Sequence, residues 1–226
     1  MTSPSVEFRQ TREFASEVKF LLSPDRARAI QAWAEKRLQP DPYALAHGGY
    51  RVTSLYLDTD KLDVYFQQGS FGRTKYRVRR YGDAEQAFLE RKLKHEGRVG
   101  KIRSQVLLDD LIRLEGRAPE RDWAGYWFHR RMLARRLRTA CQISYFRRAF
   151  GAPGIRLTLD DDLRMRPASK MHFDGEGVEF AEGKVILELK YRQEFPAAFK
   201  QLIGEFALNP FAVSKYRMAA AKCLNS

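Results

Sequence analysis

The segment Arg73-Thr74-Lys75-Tyr76-Arg77-Val78-Arg79-Arg80-Tyr81 constrains the fold more than any other in this 226-residue chain. It is rich in β-branched and aromatic residues and is bounded by Gly72 and Gly82, which predicts a β-strand. Side chains alternate across a strand, so Arg73, Lys75, Arg77 and Arg79 share one face, while Thr74, Tyr76, Val78 and Arg80 take the other.

The same separation recurs along the chain. Lys19 shares a face with Glu17. Glu90, Lys92 and Lys94 oppose Leu89 and Leu93, and Lys101 and Arg103 flank Ile102. Arg156, Thr158 and Asp160 oppose Ile155, Leu157 and Leu159, and Glu188 and Lys190 oppose Val185, Leu187 and Leu189. Strand by strand, two readings fit: a half-buried sheet with a solvated outer face, or a closed structure whose charged faces point inward. Buried charges need partners or water, and the carboxylates Glu17, Glu90, Asp160 and Glu188 are outnumbered by the cations. An enclosed basic interior would therefore suit an anionic ligand.

The formal net charge of +13 also calls for a polyanionic partner, without choosing between nucleic acid, an anionic surface and phosphorylated small molecules. With 44% hydrophobic residues the chain can build a real core. Cys141 and Cys223 make neither a disulfide framework nor a metal-binding spacing. Met1–Gln10 is polar, with no signal-peptide character, and no apolar run nears the roughly 20 residues of a membrane span. A cytoplasmic protein is expected.

Strands are predicted near residues 17–22, 50–58, 73–81, 86–94, 99–108, 139–150, 155–161 and 184–192. Helices are predicted after the Ser23-Pro24 cap to about Leu38, over Trp123–Arg138 with a basic outer face, over Phe195–Phe206, and from Ser214 to about Leu224. Lys61–Gln68 reads as a short helix or turn, and Arg164–Gly183 as a flexible excursion. The expectation is one α+β domain over residues 1–226: a closed antiparallel β-barrel of about eight strands with flanking helices.

In this order, the strands resemble the VTC (vacuolar transporter chaperone) domain, the polyphosphate polymerase branch of the triphosphate tunnel metalloenzymes. The runs that carry the resemblance are Glu17–Phe20, Ser54–Asp58, Tyr76–Gly82, Leu89–Lys92, Lys101–Arg103, Tyr145–Phe150, Ile155–Asp160, Leu187–Lys190 and Ser214–Tyr216. The resemblance implies a tunnel lined with Lys and Arg, in which the γ-phosphate of ATP passes to a growing polyphosphate chain and ADP leaves. Lys19, Arg77, Arg79, Lys92, Lys101, Arg147 and Arg156 would bind phosphate, with Lys190 beside them. Glu188 would hold Mn²⁺ or Mg²⁺. Lys215, with Ser214, would reach in from the start of the last helix, and Arg73 and Lys75 would sit nearer a tunnel mouth. ATP and inorganic polyphosphate or pyrophosphate, rather than nucleic acid, are the partners the resemblance implies.

Two features depart from relatives. Triphosphatases of the CYTH type open with Glu-x-Glu-x-Lys, whereas Ala15-Ser16-Glu17-Val18-Lys19 lacks the first acid, which favours the polymerase branch. Fungal members carry an SPX domain and membrane helices; this sequence resembles the stand-alone bacterial type. A tunnel triphosphatase and a non-enzymatic polyanion binder are the alternatives. Gly97–Lys101 lacks the full P-loop spacing, and His47, His95, His129 and His172 are scattered.

Overall fold

The computed structural model describes residues 9–44, 48–95 and 98–224. His47 and Gly97, and Met1–Phe8 at the polar start, lie outside them. The chain forms β1 (Arg9–Leu22), α1 (Pro24–Glu35), β2 (Gln39–Pro40), β3 (Tyr50–Asp58), β4 (Thr74–Tyr81), β5 (Gln86–His95) and β6 (Arg98–Leu107). These are followed by α2 (Tyr126–Ala134), β7 (Arg138–Ala152), β8 (Ile155–Pro167), β9 (Val178–Glu179), β10 (Val185–Tyr191), α3 (Ala197–Glu205) and α4 (Lys215–Leu224).

The strands form one antiparallel sheet in the order β2-β7-β3-β4-β5-β6-β1-β10-β8-β9, and pairing of β7 with β8 closes it into a ring. The eight long strands are the ones expected from sequence; β2 and β9, two residues each, are additions at the margin. Closure removes the free edges that would otherwise template pairing with other chains.

The alternating faces sort as the enclosed reading requires. The outer faces of β1, β8 and β10 (Phe20, Leu157, Leu187 and Leu189) pack with Ile30 and Trp33 of α1 and with Phe199 and Leu202 of α3 in one apolar cluster. A second cluster joins Val78 and Leu89 to Phe128 of α2 and Ala219 of α4. The helices α1, α2 and α3 thus cover the outside of the ring, α4 packs against inward-facing Tyr56 through Tyr216, and the charged rows face inward. Ser23 starts α1 as expected, its hydroxyl accepting from the Arg26 amide at 3.4 Å.

Several expectations need correction. Arg73 ends a 3₁₀ turn over Gly69–Arg73 and is not part of β4. The helix expected over Trp123–Arg138 is only the nine residues of α2; Arg136 adopts a positive φ of 50° and Arg138 already belongs to β7. Its arginines are partly used at home: Arg135 bonds Ser70 and lies 4.1 Å over the Phe71 ring. Arg164–Gly183 is not a loose excursion, because β8 runs on to Pro167 and Met171, Phe180 and Ala181 are buried in the core. Asp162, at φ 45°, sits where the β7–β8 register shifts, and its carboxylate takes Arg51 and Arg164. Aspartate tolerates this left-handed backbone better than most residues.

Candidate active site

The ring encloses a cavity walled by β1, β3, β4, β5, β7, β10 and the start of α4. Eight basic side chains line it: Lys19 from β1, Lys75, Arg77 and Arg79 from β4, Lys92 from β5, Arg147 from β7, Lys190 from β10 and Lys215 from α4. Alternation along β4 aims three of them inward, and the antiparallel register sets Lys92 opposite Lys75 and Glu90 opposite Arg77.

Four carboxylates hold most of these cations. Glu90, fully buried, accepts from Arg77 Nε at 2.7 Å and from Lys101 Nζ at 3.2 Å, with Arg103 at 3.6 Å. Asp160, also fully buried, takes both arms of Arg147 at 2.6 and 2.7 Å and Lys215 Nζ at 2.6 Å. Glu188 pairs with Lys190 at 2.6 Å and Lys19 at 3.8 Å, and Glu17 with Lys92 at 2.7 Å and Lys19 at 3.2 Å. Among the described residues, two of these cations have only neutral hydrogen-bond partners. Arg79 donates to Ser54 Oγ and Tyr145 Oη, both at 3.0 Å, and Lys75 donates to Ser214 Oγ at 2.8 Å.

The pKa values follow from this crowding. Burial pushes the Glu90 and Glu188 carboxyls up, but the facing cations outweigh it and hold both well below the usual carboxylate range. Burial likewise opposes ionisation of Asp160, yet Arg147 and Lys215 bring it down to about 2. Lys75 and Lys92 lack enough countercharge to offset burial and fall to about 8. Burial raises the Tyr56 phenol, but Arg77, Arg79 and Lys215 more than reverse this and lower it to about 8.

The start of α4 is locked in place. Tyr216 Oη donates to Asp58 Oδ2 at 2.5 Å, and the buried Asp58 carboxylate also accepts from the amides of Thr59, Val64 and Tyr65 at 2.7–3.0 Å. Tyr216 stacks on Tyr56 with centroids 5.4 Å apart. These contacts deliver Lys215 and Ser214 to the cavity wall.

Nine of the sequence-derived residues therefore surround one cavity: Lys19, Arg77, Arg79, Lys92, Arg147, Glu188, Lys190, Ser214 and Lys215. Lys101 and Arg156 do not line it. Lys101 donates to Glu90 at 3.2 Å, and Arg156 reaches Asp41 at 2.5 Å and Tyr50 Oη at 3.0 Å. Lys75, placed by sequence nearer a mouth, is a full member of the lining. Tyr56 and Tyr145 also line it, although sequence reading assigned them no role. The only signal for them was their parity with the inward rows.

Comparison with known proteins agrees with this geometry. The VTC domain family model matches residues 14–224. The chain belongs to the VTC domain family. Among curated proteins, none matches its sequence. Solved structures with the same fold include a candidate adenylate cyclase from Bacillus halodurans, at 14% identity and TM-score 0.58, covering 89% of this chain and 94% of that one. A Hippeastrum candidate adenylyl cyclase with a dominant triphosphatase activity aligns at 14% identity and TM-score 0.54 over 93% and 96% of the two chains. A Vibrio parahaemolyticus candidate adenylate cyclase gives 14%, 0.52, 91% and 97%. This VTC domain thus shares the triphosphate tunnel-like fold. Among its described residues, no helix is long and apolar enough to cross a membrane.

The family's divalent metal can be tested against the donor set. Among the described residues, no group of three or more His, Cys, Asp or Glu side chains converges. Glu188 and Glu17 do approach each other, since each carboxylate contacts Lys19, and Glu17 Oε2 is buried without a hydrogen-bond partner. Two carboxylates with one free oxygen fit a hard cation that completes its shell with phosphate oxygens and water.

Proposed function

We propose that this VTC domain is an ATP-dependent polyphosphate polymerase, moving the γ-phosphate of ATP onto a polyphosphate chain and releasing ADP. The observation that carries the reading is a cavity with eight basic side chains, two of them, Arg79 and Lys75, hydrogen-bonded only to neutral oxygens. Those two are free to accept phosphate charge without first breaking an ion pair.

Phosphoryl transfer asks the protein for alignment and charge stabilisation more than for covalent chemistry. Arg77, Arg79 and Arg147 present planar guanidinium groups suited to bidentate contact with phosphate oxygens. Lys215 and Lys75 add point charges where α4 meets β4. The attacking group would be a terminal phosphate oxygen, already ionised near neutral pH, so no general base is required. None of the cavity-lining side chains is a histidine. Glu188 and Glu17 would hold the divalent ion, which when bound would neutralise charge on the bridging phosphate oxygens.

The test is product analysis after incubation with ATP and Mn²⁺ or Mg²⁺, with and without a pyrophosphate primer. Long-chain polyphosphate and stoichiometric ADP are expected, and Lys215→Ala should reduce both by at least about 100-fold, the scale of losing one charge-stabilising group. Orthophosphate without chain growth would select the triphosphatase instead. Steeply salt-dependent RNA binding unaffected by Arg77→Ala would select a polyanion binder.

A further inference from the structure

Beyond the cationic rows, the inward faces of β3, β4 and β5 carry aromatic rings toward one end of the ring. Along β4 the inward positions run Lys75, Arg77, Arg79 and then Tyr81. Lys75 meets Ser214 at the start of α4, so Tyr81 lies at the other end of the row, about 20 Å away by the rise of a strand. Phe88 of β5 stands opposite Arg79, and its ring meets that of Tyr81 edge-on at 5.6 Å. Tyr50 of β3 meets Tyr81 on the other side at 5.9 Å.

Guanidinium groups are interleaved with these rings. Arg103 lies 3.3 Å over the Phe88 ring and 5.6 Å from Tyr81, and Arg79, itself in the cavity wall, lies 6.0 Å from Tyr81. All three rings are half buried, and Tyr50 and Tyr81 also pack against the edge of the core. Stacking planes of this kind are what unpaired nucleobases use on proteins.

We propose that Tyr50, Tyr81, Phe88 and Arg103 form a stacking subsite for the base of a nucleoside triphosphate whose phosphates extend inward along Arg79 and Arg77. The distance suits this. Tyr81 and Arg77 are roughly 13 Å apart along the strand, the reach of an extended triphosphate arm. An inorganic triphosphate would use the cationic rows alone. Stacking does not read the edge of a base, so purine identity should matter little. The proposal rests on the phosphate-binding reading of the cavity and adds to it where the base of the donor stacks.

Isothermal titration calorimetry without divalent metal, using ATP, GTP and inorganic tripolyphosphate, separates the two. Phe88→Leu keeps an apolar side chain but removes the ring; Tyr81→Leu is the second variant, and unchanged thermal midpoints show that both are folded. ATP and GTP should bind wild type within about threefold of each other, and each variant should weaken both about tenfold while tripolyphosphate stays within twofold. Equal losses for nucleotide and tripolyphosphate, or no loss for either, overturn the stacking subsite and leave the phosphate site standing. Wild type that binds tripolyphosphate but not ATP also overturns it. Failure to bind any of the three ligands overturns the reading of the cavity as well.

Discussion

Replacing Asp160 by Asn tests whether the inward cations are held by a few buried carboxylates. Asp160 is fully buried and carries three charge-assisted contacts, two from Arg147 and one from Lys215. Although burial opposes its ionisation, these cations lower its pKa from the ordinary 3.8 to about 2. That drop corresponds to about 2 kcal/mol of stability. Its sign follows from the depressed value: the contribution is fully present above 3.8 and is lost as pH falls through about 2. Asparagine also leaves two buried cations short of a partner, which can raise the cost toward about 3–5 kcal/mol. For a chain of this size about 2 kcal/mol lowers the thermal midpoint by about 4–8 °C.

Urea unfolding of wild type and Asp160→Asn at pH 7 and pH 3 reads this directly. The difference should be at least about 2 kcal/mol at pH 7, and at pH 3 the part owed to ionisation should shrink to about half. A difference below about 1 kcal/mol at pH 7, or one that is the same at both pH values, would refute the reasoning. Activity should show a split. The cavity of the variant has one negative charge fewer, so triphosphate binding is kept or tightened, while Arg147 and Lys215 lose their anchor and kcat falls.

Phosphate affinity should weaken on the alkaline side, because Lys75 and Lys92 lose their charge as pH rises through about 8 and Tyr56 gains a negative charge over the same range. A plot of KM for ATP against pH should rise above pH 8, and Tyr56→Phe should flatten it; a KM constant to pH 9.5 would contradict the assignment. Tyr216→Phe removes the hydroxyl that ties α4 to Asp58. It should cost about 1–2 kcal/mol in denaturant unfolding and lower kcat more than it raises KM, because Lys215 is the next residue; an unchanged kcat would show that α4 is positioned by other contacts.

Much of the site was legible because strand alternation is local. Parity alone put Arg77 with Arg79, and Glu188 with Lys190, on common faces. The order of the runs gave the family. Parity does not say how far along the tunnel a residue lies or what it meets across the ring. Parity therefore did not show that Lys75 lines the cavity, and the contact that holds it on the cavity wall comes from Ser214, 139 positions away in sequence. Lys101 shares the inward parity and stands opposite Lys92, but its ammonium is spent on the buried Glu90, a contact that strand parity does not encode.

The sequence by itself determined that this chain makes an antiparallel sheet with one charged and one apolar face, because a two-residue period is written into the order of side chains. The tertiary structure decided that the charged face is the inside, since closure depends on β7 finding β8 and on α1, α2 and α3 covering the outer surface. It also decided which carboxylate neutralises which cation: Asp160 serves both Arg147 and Lys215, while Arg79 and Lys75 keep neutral partners. Charge pairing depends on distance across the ring, and that distance is fixed by strand register and by where the last helix ends its approach, neither of which a local pattern encodes.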